Sequence, residues 1–213
     1  MDARRLFPLS GIAFVALLVV AIVGIGGSTP GSGASAEELA RFYDESAVRQ
    51  GIGTFVLAAA APFLVFFGVG LVRSLALERD GSLTAWGCVL LSGTILVAGS
   101  VLLTAFVHFA LANGGDEKIS PTALEALNSL DANTWMAFNP AFGVMMLGAA
   151  GTALSVGAAR WLGWAALVLG IGCFVPFADF FALLGTLIWI VVASIVLVRG
   201  KPAPAYFAAP RAA

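Results

Sequence analysis

The chain has 213 residues, of which 60% are hydrophobic and 11% charged, with a mean hydropathy of +0.99 and a formal net charge of −1. A water-soluble domain carries about 25% charged residues, so there is too little polar side chain here to clothe a globule. No basic patch points to nucleic acid, and two cysteines are too few for a disulfide framework.

Backbone groups surrounded by lipid must bond to one another, which leaves helices or a closed barrel. The apolar runs are long and unbroken rather than alternating, which selects helices. The expected fold class is all-α: a polytopic transmembrane helical bundle of six spans with two outer amphipathic loop helices, forming one domain over 1–200.

Residues 6–27 follow a basic start, Arg4 and Arg5, and make span 1. Ala34-Ser35-Ala36 has the pattern of a signal cleavage site, but it lies far beyond the apolar run, so the run is expected to stay as an anchor. After a Gly/Ser/Pro-rich loop, Ser35 and Glu38 form a capping box. Leu39, Phe42, Tyr43 and Ala47 then share a helical face, with Glu37–Arg41 and Glu45–Arg49 as i,i+4 pairs. This first outer helix either lies on the membrane surface or is a solvated lead-in to span 2.

Span 2 is 52–72, with a kink expected at Pro62. Span 3 is 83–112 and longer than a bilayer needs. In the next loop, Ser120-Pro121 reads as an N-cap and first helical residue, and Leu124, Leu127 and Leu130 are expected on the apolar face of a second outer helix. Asn128 falls on the expected solvated side. Span 4 is 134–158 and rich in Gly and Ala, which lets helices approach closely in lipid. The run from 161 to 198 holds one ionisable side chain, Asp179, and is long enough for two crossings, 161–177 and 180–198. Residues 201–213 form a Pro/Ala-rich tail expected to be disordered.

Basic residues set the orientation. With both termini inside, eight fall on the cytoplasmic side (Arg4, Arg5, Arg73, Arg79, Arg160, Arg199, Lys201, Arg211) and three outside (Arg41, Arg49, Lys118). The chain is therefore expected in the cell membrane, in contact with the lipid bilayer, with association through small-residue helix faces.

A long first outer loop, a second outer loop containing Pro121, Leu124 and Leu127, and a terminal hairpin opening Arg160-Trp161-Leu162-Gly163-Trp164 together carry a family likeness. The chain resembles a group of uncharacterised bacterial six-span integral membrane proteins abundant in actinobacteria. That group has no established activity, so the resemblance implies a fold and assigns no functional residue.

Ser100, Thr104 and His108, the single histidine, are spaced i, i+4, i+8 on one face of span 3. Asn139 lies just inside span 4, and Asp179 at the turn of the last hairpin. Polar groups at membrane depth are expensive and mark candidate sites. The bland reading makes them solvated or interhelical contacts. The sharper one has His108, Asn139 and Asp179 converge at an outward-facing site, with Asp179 favouring the charged imidazolium. One histidine, two separated cysteines and an aspartate do not make a metal site. No cofactor motif and no hydrolase or nucleotide-binding motif is present. The expected role is non-enzymatic: structural, accessory or partner-binding. Small-molecule or cation binding or transport through the outer polar residues is the alternative.

Overall fold

The computed structural model describes residues 6–76, 82–114, 119–156 and 160–199. The tail 201–213 expected to be disordered lies outside them, as do Arg4, Arg5, Arg79 and Lys118. The described residues fold into helices: α1 (Leu6–Val19), continued by a π-helical segment (Val20–Gly26), α2 (Ala36–Leu75), α3 (Ala85–Gly114), α4 (Pro121–Ala132), α5 (Trp135–Val156), α6 (Arg160–Gly172) and α7 (Asp179–Arg199). Five stretches are long and apolar enough to cross a bilayer: Phe7–Gly26, Ala36–Leu75, Ala85–Gly114, Pro121–Ser155 and Asp179–Arg199. The helix Arg160–Gly172 is shorter, at 13 residues. Phe106, Val168, Phe181 and Ile188 are each more than half exposed. An apolar surface of that extent suits lipid, and the chain has the build of a multi-pass membrane protein.

The long helices pack in a closed order. α1 lies on α2, α2 on α3, α3 on α5, α5 on α6, α6 on α7, and α7 returns to α1. Phe14, Leu64, Phe67, Met145, Met146 and Ile190 fill the interior. The α3–α5 seam depends on absent side chains: a Cβ on Gly93 would overlap the backbone at Met145, and one on Gly148 the backbone at Leu90. The small residues of α5 are thus buried in the bundle's own packing. Trp189, which fits no interfacial belt, is also interior: its indole N–H donates to the Leu162 carbonyl at 3.0 Å, tying α7 to α6.

One element differs from both separated pieces read in the sequence. The first amphipathic helix and span 2 are a single helix of 40 residues, continuous through Gly51, Gly53 and Pro62. At 1.5 Å per residue it is about 60 Å long, twice a hydrocarbon core of about 30 Å. No break occurs at the junction because the helical stripe does not break there: Leu39, Tyr43, Ser46, Gln50, Gly53 and Leu57 are all buried, on one 3.6-residue repeat. Residues 36–50 therefore extend beyond the apolar part of the bundle. Together with α4 they form a cap over one end of it.

The packing of α5 gives a test. Gly148→Leu should lower stability by about 1–3 kcal/mol or more through overpacking. Gly99→Leu, on an exposed face of α3 with nothing near its Cβ position, should stay within about 0.5 kcal/mol. Thermal unfolding of the two variants in the same detergent measures the difference.

Candidate functional site

The cap is built from two helical stripes. On α2 the inward residues are Leu39, Tyr43, Ser46 and Gln50. On α4 they are Leu124 and Asn128, with Asp131 one turn further on. Leu39, Tyr43, Leu111 and Leu124 make a small apolar core separate from that of the bundle. The expected apolar face of α4 holds at Leu124, in that core, and at Leu127, packed against it, and is corrected at two positions: Leu130 is exposed and Asn128 is 4% exposed. The physical reason is polar. The Asn128 side-chain amide donates to the Gly31 carbonyl at 2.9 Å, fastening α4 to the loop before α2. Glu125 adds a second fastening, since its Oε1 accepts from the Ala36 backbone N–H at 3.1 Å. That N–H opens α2, where Ser35 Oγ accepts from Glu38 N–H. A carboxylate there meets the positive end of the helix dipole.

Beneath the cap, four elements meet in one chain of hydrogen bonds. Gln50 Nε2 donates to the Gly26 carbonyl at 3.0 Å. His108 Nε2 lies 3.0 Å from Gln50 Oε1. His108 Nδ1 lies 3.1 Å from Asp131 Oδ2. Gln50 is fully buried, while the side chains of His108 and Asp131 are 16% and 15% exposed. Tyr43 packs edge-on to the His108 ring at 6.1 Å between centroids. Its hydroxyl is buried and has no hydrogen-bond partner among the described residues. Burial first, and the negative charge of Asp131 second, hold the Tyr43 phenol above its ordinary range, so it stays neutral.

Donor counting constrains this chain. The Gly26 carbonyl only accepts, so the Gln50 amide must turn its nitrogen toward it and its oxygen toward His108. That oxygen also only accepts, so His108 Nε2 must carry hydrogen. Asp131, when ionised, only accepts as well, so Nδ1 must carry hydrogen too. With Asp131 ionised, every bond is satisfied by the imidazolium and not by either neutral tautomer.

The residues singled out in the sequence fall into two places. Asn139 and Asp179 do meet: Asn139 Nδ2 donates to Asp179 Oδ2 at 2.9 Å, while Asp179 Oδ1 accepts from Phe180 N–H at the start of α7. His108 does not join them, because its two nitrogens are taken by Gln50 and Asp131. The carboxylate beside the histidine is Asp131 rather than Asp179. Ser100 Oγ sits 2.9 Å from the Leu96 carbonyl and 3.0 Å from that of Ala137, linking α3 to α5. Thr104 Oγ1 is buried without a partner among the described residues. No group of three or more histidine, cysteine or carboxylate side chains suited to a metal occurs among the described residues.

Gln50, Asp131, Tyr43 and Asn128 were not legible as site residues. The signal for them was periodicity: 43 and 50 share a face with Leu39, and 128 and 131 share one with Leu124. No family model, no curated protein and no solved structure matches the chain.

Asn128→Asp should destabilise the cap by about 1–3 kcal/mol, since a buried donor becomes an acceptor facing the Gly31 carbonyl. Leu130→Asp, at an exposed position, should stay within about 0.5 kcal/mol. Protease susceptibility of residues 36–50 in the folded protein distinguishes the two.

Proposed function

We propose that the chain is a six-span protein of the cell membrane with both termini in the cytoplasm, acting without catalysis as an accessory or partner-binding component. The observation that carries this reading is the continuity of α2 into the cap. A continuous helix, fastened at its start by Glu125 and near the bundle by Gln50, holds Arg41, Asp44, Glu45, Val48 and Arg49 exposed on the segment that forms the cap. Arg73, Arg160 and Arg199, at the last turn of α2, the start of α6 and the end of α7, support an outward-facing cap. Gln50, Ser100, Asn128 and Asn139 bond to other side chains or to backbone, which suits a structural role for them.

A second reading, binding of a small molecule or cation at the polar junction, is favoured by one observation: the buried hydroxyls of Tyr43 and Thr104 lack partners among the described residues.

Two measurements test the proposal. Reporter fusions after residues 30, 78, 116, 160 and 205 should report outside, inside, outside, inside and inside; an outside signal at 205 contradicts six spans. A photocrosslinking residue at Val48, in the native membrane, should trap one discrete partner. If Val48 traps none and reconstituted vesicles show saturable cation uptake that His108→Ala abolishes, the second reading replaces the first.

A further inference from the structure

We propose that His108 and Asp131 form a proton-binding site that latches the cap to the bundle, closed when the proton is held and released when it is lost. This goes beyond the accessory reading and does not depend on which partner the cap meets.

The inference starts from the run of acceptors. Between the Gly26 carbonyl and the Asp131 carboxylate there are three hydrogen-bond gaps. The Gln50 amide can fill only one, because it offers a donor on one side and an acceptor on the other. The remaining two gaps flank the imidazole. A neutral ring has one N–H and fills one of them. In the other, two lone pairs then face each other at 3.0–3.1 Å. Turning the Gln50 amide over moves the conflict to Gly26 and does not remove it. One additional proton, shared between Nδ1 and Oδ2, removes it. Both side chains keep some water contact, which favours the imidazolium–carboxylate form over a neutral pair.

Among the described residues this proton has no competitor. Asp131 on α4 is the charged group facing His108, and Tyr43 on α2 is the other titratable one. The π-helical segment and α5 have no ionisable side chain, and α3 itself carries only Cys88 besides the histidine. The remaining charges of the cap on α2, Arg41, Asp44, Glu45 and Arg49 among them, are exposed.

The weak point on deprotonation is α4. Gln50 is fully buried and has no route to water, whereas Asp131 is partly exposed and sits at the end of a 12-residue helix. The carboxylate therefore leaves first and takes α4 with it. The sign follows from linkage. The closed cap binds one proton more than the open one, so closure is favoured at low pH and lost as pH rises through the point where His108 becomes neutral.

The test is hydrogen–deuterium exchange of the full chain in lipid nanodiscs from pH 5 to pH 9, corrected for the intrinsic pH dependence of exchange. Protection of residues 119–134 should fall about tenfold per pH unit above the transition, the value for a single linked proton. Asp131→Asn supplies an amide donor to a neutral ring, so its cap should stay protected at every pH. His108→Gln offers one donor for two acceptors, so its cap should be unprotected at every pH. Nitrogen-15 NMR of the single histidine in wild type provides a readout that needs no variant. Both ring nitrogens should carry hydrogen while α4 is protected, and the ring should become neutral as protection is lost. Wild-type protection independent of pH, Asp131→Asn as pH-dependent as wild type, or a neutral ring beneath a protected α4 would each overturn the latch.

Discussion

A buried amide caught between two acceptors is the constraint on which the end of this bundle depends. Gln50 is fully enclosed, and an unsatisfied polar group in that position costs about 1–3 kcal/mol. Its nitrogen finds the last carbonyl of the first span and its oxygen finds His108. That carbonyl is free because the helix ends there in a widened turn, with Gly27 N–H bonding back to Ile22 and Gly27 itself in the left-handed region at φ 65°. The histidine passes the requirement on to Asp131. Four elements far apart in sequence are held by one demand for complementary donors and acceptors.

The two ends of the molecule use different physics. In the bundle, association rests on shape: Gly93 and Gly148 let α3 and α5 backbones approach, and Gly11 does the same where α1 meets Phe67, Ile190 and Ser194. In the cap the buried apolar residues among those described are Leu39, Tyr43, Leu111 and Leu124, with Phe42, Ile119 and Leu127 partly buried against them. So small a core leaves orientation to polar contacts, and Glu125, Asn128 and Asp131 from one face and end of α4 supply them. None of these three contacts involves the seam between α3 and α5, so the cap and the bundle are held by separate sets of contacts.

Much of the fold was legible. Long charge-free runs located α1, α3, α5 and α7 to within a few residues, whereas the crossing expected at 161–177 is a helix ending at Gly172, and Ser35 and Ser120 marked two helix starts that their side chains do cap. The continuity of α2 was harder to see. Its amphipathic and apolar halves differ in composition, and only the unbroken repeat from Leu39 through Gln50 to Leu57 joins them. The pairing of Asn139 with Asp179 followed from depth along neighbouring spans. Depth alone ranks Asp131 and Asp179 alike as partners for His108, and the structure pairs it with Asp131. Which one the ring meets is decided by α4 turning Asn128 and Asp131 inward beside Leu124, with Leu130 outward, where the Gly31 carbonyl and the histidine supply the polar partners.

The account stands most directly on whether Gln50 and Asp131 act as one unit through a histidine that separates them. A double-mutant cycle with Gln50→Leu and Asp131→Leu, read by reversible unfolding in bicelles, measures this. A shared relay gives a coupling energy of at least about 0.5 kcal/mol between two residues joined only through His108, as members of one hydrogen-bond network do. Strictly additive losses would contradict it, and would reduce the junction to two unrelated contacts.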